Sequence, residues 1–428
     1  MATDLTGQQV GSTGTYFDDA LRIHYQPAIR TQFPQKSVLL QNLERGDAKK
    51  IDTSGQFARI TLQKALHPSV GAKPEGKPLP NKSYTRLETT DVYMKQNYGR
   101  IEITGNVMRA SRDNRGSVMK SLEVETEAVT KALRNDVNRQ LACGNGTGQL
   151  ALSNGDPDSG WSDVYTAALD SLLGIAFTTP SSIGSEVAPT KYFVAGMEFD
   201  MGDATTYTTI DVTAATVTTV NSATGMTVST CAGGDDNGYL MRHDAAASEI
   251  MGLRGIIDDS GHLDTLQTIT RSTAGNNYWK ASVVDYGSAA APATLTEAYM
   301  QEAQTLTEKN DGEVSFVLTT YGLRDSYVTI LQSDKRFVNT TELKGGFKSV
   351  DFNGTPLTPD KDCTPYTMYF VDKSTLELYE SSPITWADED GSVLSRVANY
   401  DAYEAFLYYY ANLGANNCVK NACLSYVQ

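Results

Sequence analysis

Along residues 117–143, SVMKSLEVETEAVTKALRNDVNRQLAC, the apolar residues Val118, Leu122, Val129, Leu133, Val137 and Leu141 fall at steps of four or seven. That spacing puts them in one stripe and predicts a single long helix. Ser117 can cap its start and Gly144 can end it, and Glu123, Glu125 and Glu127 precede Lys131, Arg134 and Arg139 in the order that complements the helix dipole. At 1.5 Å per residue its length is about 40 Å, enough to run across one whole face of a domain.

A different pattern occupies residues 57–95. The Thr- and Tyr-bearing stretches FARITLQKAL and YTRLETTDVYMK read as extended and flank HPSVGAKPEGKPLPNKS, which is rich in Pro and Gly. The expected element is a long hairpin. Legs of up to ~19 residues reach about 60 Å when extended. A compact core of about 280 residues has a radius of gyration of only ~19 Å, so such a hairpin overhangs its own subunit.

Residues 188–243 alternate polar and apolar positions between Gly and Asp turns, as in ATVTTVNSATGMTVST, and predict a small inserted all-β, barrel-like module with a hairpin turn at 221–225. Thr294 and Glu297 have the spacing of a capping box for a helix that Gly312 can end. A strand over 314–319, a helix near 321–332, the strands TMYFVD and LELYE, and the aromatic YDAYEAFLYYYANL follow. Residues 1–50 contain Pro27 and Pro34, which break any long helix, and are expected to form an arm.

Composition changes this picture through charge. The 428 residues carry a net charge of −15, yet residues 1–120 hold 18 basic and 11 acidic side chains whereas residues 121–428 hold 18 and 40. Much of the basic surplus lies on the hairpin, at Arg59, Lys64, Lys73, Lys77, Lys82 and Arg86, which are the candidate inter-subunit contacts. This distribution disfavours a dedicated nucleic-acid binder and suits contact between the basic front of one copy and the acidic remainder of another.

Candidate chemistry is sparse. The first residues show no signal-peptide pattern, and no apolar run approaches the ~18 residues of a spanning helix, so neither secretion nor a membrane is expected. Cys143, Cys231, Cys363, Cys418 and Cys423 form no CxxC pair and are expected to be reduced packing residues, with Cys418 and Cys423 on opposite faces of a strand. His24, His67, His243 and His262 lack HxxxH or HxH spacing. Gly144, Gly146 and Gly148 follow a helix, whereas a dinucleotide fingerprint opens one. Asp388, Glu389 and Asp390 lack the rest of a calcium loop. The Tyr408–Tyr410 cluster is expected to pack a sheet, not to stack bases. Hence no catalytic residue, metal or cofactor is expected.

The order of elements, with TEAVTKALRNDVNRQLACGNGTGQLA, EIMGLRGIIDDSGHLDTLQTITRSTAGNNYWKASV, KGGFKSVDFNGTPLTPDKD and MYFVDKSTLELYE, resembles the major capsid proteins of tailed bacteriophages. The resemblance covers most of residues 50–428 and rests on ordering, since no single motif is diagnostic. It implies an α+β, Hong Kong 97-like capsid fold: N-terminal arm (1–50), extended-loop hairpin (51–100), peripheral domain (101–187) with its spine helix, inserted β module (188–243) and axial domain (244–428) with return strands. It further implies pentamers and hexamers of an icosahedral shell around double-stranded DNA, assembled in the bacterial host cytoplasm with a portal and possible decoration protein. Only about 50 residues precede the hairpin, which suggests a separate scaffolding protein. The alternatives are an encapsulin-like compartment shell or, in a different class, a β-rich carbohydrate-binding surface protein.

Overall fold

The computed structural model describes residues 39, 40, 43, 49–52, 57–110, 121–154, 165–170, 189–203, 208–222, 225–229, 238–288, 291–333, 340–342, 348–388 and 393–428. The arm before residue 39, Ser117, Val118, Cys231, His24 and Glu389–Asp390 lie outside them.

The longest sheet unites distant parts of the chain. Strand β1 (Lys49–Asp52) pairs in parallel with β19 (Leu376–Trp386), which pairs antiparallel with β21 (Ala402–Ala415). The strand β4 (Lys95–Thr104) joins β21 over a ten-residue register from Ala402↔Thr104 to Ala411↔Lys95, and β20 (Ser395–Arg396) also pairs with β21. The predicted long helix is present as Ser121–Cys143. Its Leu133, Val137 and Leu141 are buried, as the stripe requires, and the Gly144 N–H bonds to the Gln140 carbonyl at 3.0 Å where the helix stops. The helix lies so close to β4 that a Cβ added at Gly99 would sit 2.6 Å from Val129 Cγ1. Only glycine fits there.

At its C-terminal end the helix feeds a closed barrel, ordered β10–β5–β6–β9–β8–β7. Four of its strands come from the predicted module: β7 (Glu198–Gly202), β8 (Ile210–Val220), β9 (Gly225–Val228) and β10 (Tyr239–Arg242). The other two, β5 (Gln149–Asn154) and β6 (Tyr165–Asp170), come from before residue 188. Four short strands would leave open edges, and β5 and β6 close them. Leu150, Phe199, Met201, Val217, Met226 and Leu240 fill the interior, fully or almost fully buried.

A small ribbon of β11 (Thr265–Leu266) and β12 (Ile269–Thr270) precedes the third layer. There a seven-stranded mixed sheet has the order β13 (Ser282–Asp285), β22 (Ala422–Ser425), β18 (Thr367–Val371), β14 (Phe316–Thr319), β17 (Thr355–Pro359), β16 (Lys348–Phe352), β15 (Thr340–Glu342). Helices Glu297–Lys309 and Tyr321–Ser333 accompany it, and Met300, Ala303, Leu323 and Tyr327 share one core with Phe352, Leu357 and Phe370 of the sheet. The first of these helices is capped by Thr296, whose side chain accepts from the Tyr299 N–H, and not by Thr294. Cys418 and Cys423 are both buried and free, but only Cys423 is in a strand; Cys418 sits in the preceding turn. Tyr409 points into the core while Tyr408 and Tyr410, on the other face of β21, stay half-exposed.

Candidate assembly surface

The predicted hairpin divides into two unlike parts. Its base is a seven-residue pair, β2 (Phe57–Gln63) with β3 (Leu87–Tyr93), in register from Phe57↔Tyr93 to Gln63↔Leu87. Leu62, Thr90 and Val92 are buried on one face, and Thr90 Oγ1 donates to the Gln267 carbonyl. Charge on both faces is already matched, Arg59 and Asp91 on the opposite face and Glu88 on the same face as Leu62. Arg59 donates to both Asp91 oxygens at 2.7 and 2.9 Å, which holds the Asp91 carboxyl below its ordinary pKa. Lys64 meets Glu88 at 2.9 Å and Asn276 Oδ1 at 3.0 Å, and its ammonium stands 5.3 Å from the Tyr278 ring centre. Lys64 and the Tyr278 hydroxyl together lower the Glu88 pKa. Two of the six candidate contacts, Arg59 and Lys64, therefore find their partners inside the subunit.

Beyond the Lys64 N–H to Arg86 carbonyl bond the strands part, and residues 65–86 form no ladder. Pro68, Pro74, Pro78 and Pro80 explain this, because each removes a backbone donor. The paired legs are accordingly seven residues, shorter than the legs expected from composition. A turn closed by the Lys77 N–H on the Pro74 carbonyl at 3.2 Å, with Gly76 at φ 76°, reverses the chain. Leu66 is 90%, Val70 84%, Leu79 84% and Tyr84 82% exposed. The remaining candidates, Lys73, Lys77, Lys82 and Arg86, are exposed around them, and their side chains form no ion pair with a described residue. The tip thus combines basic charge with four large, nearly bare apolar side chains.

Close to the base of the hairpin lies buried charge that sequence spacing did not reveal: the Asn412 amide donates to the Tyr93 carbonyl at 2.7 Å and its Oδ1 accepts from the Met251 N–H at 2.9 Å, two residues after Glu249. Arg139 of the long helix is 2% exposed and pairs with Asp136 at 3.0 Å and with Glu249, itself 5% exposed. Arg242, the last residue of β10, reaches the same Asp136 at 3.0 Å. Burial alone would raise the Asp136 pKa, but Arg139 and Arg242 outweigh it and bring it below the usual value. Burial raises that of Glu249. The cluster ties the barrel exit to the long helix, as does Gln140, whose Oε1 accepts from the Ile250 N–H at 2.9 Å. Nearby, Leu39 and Leu40, at the end of the predicted arm, are buried; their N–H groups donate to Asp360 Oδ2 at 3.1 Å and Asn138 Oδ1 at 3.2 Å. That part of the arm packs on its own subunit.

No protein-family model and no curated protein matches the sequence. Solved structures do. The capsid asymmetric unit of cyanophage A-1(L) superposes with a TM-score of 0.59 at 12% identity, over 97% of this chain and 99% of that one. The capsid of the native GTA particle gives 0.51 at 6% identity, over 98% and 100%, and that of the empty GTA particle 0.50 at 6%, over 98% and 100%. The chain has the Hong Kong 97-like capsid fold. Identities this low fix the architecture and leave the residue-level contacts to be read from this chain itself.

Proposed function

We propose that the chain is the major capsid protein of a tailed phage, a non-catalytic subunit that assembles into pentamers and hexamers of an icosahedral shell. The observation that carries this reading is the hairpin tip: Leu66, Val70, Leu79 and Tyr84 stay bare beside Lys73, Lys77, Lys82 and Arg86. Ordering such a segment costs conformational entropy that only a neighbour can offset. In a head-to-tail ring every copy donates one tip and accepts another, so the contact repeats without a self-complementary patch. Each exposed ion pair contributes up to ~1 kcal/mol at most, and the number of copies supplies the rest.

In this reading the shell encloses double-stranded DNA without reading its sequence, and the acidic balance of residues 121–428 gives a lining along which DNA can move. Assembly takes place in the bacterial cytoplasm with a separate scaffolding protein and a portal. Electron microscopy of the purified protein, alone and with its scaffold, tests the proposal. Closed shells are expected, and nucleic acid inside particles from infected cells separates a capsid from a compartment that holds enzymes. A monomer whose tip folds back on its own core, or one that binds glycans through the barrel, would overturn it.

A further inference from the structure

Asp200, His243 and Asp244 come together at the exit of the barrel. Strand β10 ends at Arg242, and His243 and Asp244 follow in the turn that leaves the barrel. The side chain of Asp200, on β7, is 5% exposed and is saturated with donors. Its Oδ1 accepts from the Ala214 N–H at 2.8 Å, and its Oδ2 from the Asp244 N–H at 2.8 Å. His243 Nδ1 lies 2.8 Å from the same Oδ1. An ionised carboxylate has only acceptors, so Nδ1 must carry the proton.

In the neutral ring Nε2 then presents a lone pair, and it faces Asp244 Oδ2 across 3.5 Å. Two lone pairs opposed at that distance are reconciled by a positive charge between them, either a proton on Nε2 or a metal ion. Two ligand atoms at 2.0–2.1 Å from a tetrahedral metal ion stand about 3.4 Å apart, which matches the observed gap. A carboxylate on the other ring nitrogen is the usual support of a metal-ligating imidazole, because it sets both tautomer and ring orientation. Asp200 does more than orient the ring. It also holds Asp244 and Ala214 in the left-handed region, at φ 58° and 54°, and so keeps the Asp244 carboxylate beside Nε2.

We infer that His243 Nε2 and Asp244 Oδ2 bind a divalent transition-metal ion of the zinc class at the barrel exit, with Asp200 as the positioning residue and water in the open positions. His243 is 32% exposed on its side chain and Asp244 86%, so an ion can enter from solvent. The proton is the competitor. The hydrogen bond to Asp200, together with the charges of Asp200, Asp244 and Glu198, raises the His243 pKa.

The test uses unassembled full-length protein and Zn²⁺ alone, titrated calorimetrically at pH 7.5, with Co²⁺ as a spectroscopic substitute. One site per chain is expected, with a visible Co²⁺ band. His243→Ala should lose both, Asp244→Asn should weaken binding at least tenfold, and His67→Ala should change neither. Near-UV circular dichroism checks that each variant is folded; the high exposure of Asp244 makes Asp244→Asn the variant that keeps the test decisive. Absence of stoichiometric uptake, or uptake that survives both His243→Ala and Asp244→Asn, would mean that the gap holds only a proton and would overturn the inference. Because the chains are dispersed, the outcome does not depend on whether they form a shell.

Discussion

Arg59 and Arg86 lie on one hairpin, carry the same guanidinium and face opposite fates. Arg59, at the base, is held in a two-pronged bond to Asp91 on the paired strand, and Lys64 beside it is enclosed by Glu88, Asn276 and the Tyr278 ring. Arg86, at the start of the tip, has Lys64 across from it, whose N–H donates to the Arg86 carbonyl, and its side chain stays exposed with those of Lys73, Lys77 and Lys82. The difference comes from pairing register. Where strands pair, cross-strand neighbours are fixed and charges are matched locally; where prolines end pairing, the same charges remain available to another chain. The base of the basic hairpin is thus paired within the subunit, whereas the charges of its tip are exposed.

Four experiments test this contrast. The largest effect is expected at the buried cluster: Glu249→Ala leaves the buried Arg139 guanidinium short of a partner and should cost about 3–5 kcal/mol in urea unfolding of the unassembled chain. Equal stability of variant and parent would show that the cluster is not a clamp. Second, reversing all four tip charges, Lys73→Glu, Lys77→Glu, Lys82→Glu and Arg86→Glu, should abolish shells in electron microscopy while moving monomer stability by less than about 0.5 kcal/mol. Intact shells would remove the tip from the contact.

Third, Lys64→Ala should lower monomer stability by no more than about 1 kcal/mol, because its pair with Glu88 is partly solvated, and should reduce assembly far less than the tip reversal. The reverse ranking would exchange the roles assigned to base and tip. The smallest effect concerns pH. Glu88 has a lowered pKa in the folded chain, so its contribution is present above the unfolded-state value of about 4.3 and is lost as pH falls through the folded value. Limited proteolysis of the hairpin should therefore accelerate only below about pH 4, and Glu88→Gln should remove that dependence.

The long helix was legible because a stripe at steps of four needs nothing but its own sequence, and Leu133, Val137 and Leu141 lie buried where the stripe places them. The hairpin was legible as a hairpin, and its tip as basic, for the same local reason. Its paired part is shorter than its Thr- and Tyr-bearing stretches suggest, because four prolines confine the ladder to seven residues on each side. The barrel was half visible, since its alternation is plain over 198–242 while β5 and β6 are recruited from a stretch dominated by Gly, Asn, Asp and Ser.

Short-range periodicity and composition carry the kind of most elements, their order and the basic character of the hairpin. Which charges are already paired, and that Leu66, Val70, Leu79 and Tyr84 stand exposed, follows from the packing of the folded chain. Asp91 is 32 residues from Arg59, Glu249 110 residues from Arg139, and Asp200 43 residues from His243. No spacing rule links such positions, because their distance is set by how sheets, helix and barrel pack, and electrostatic partnership depends on that distance alone.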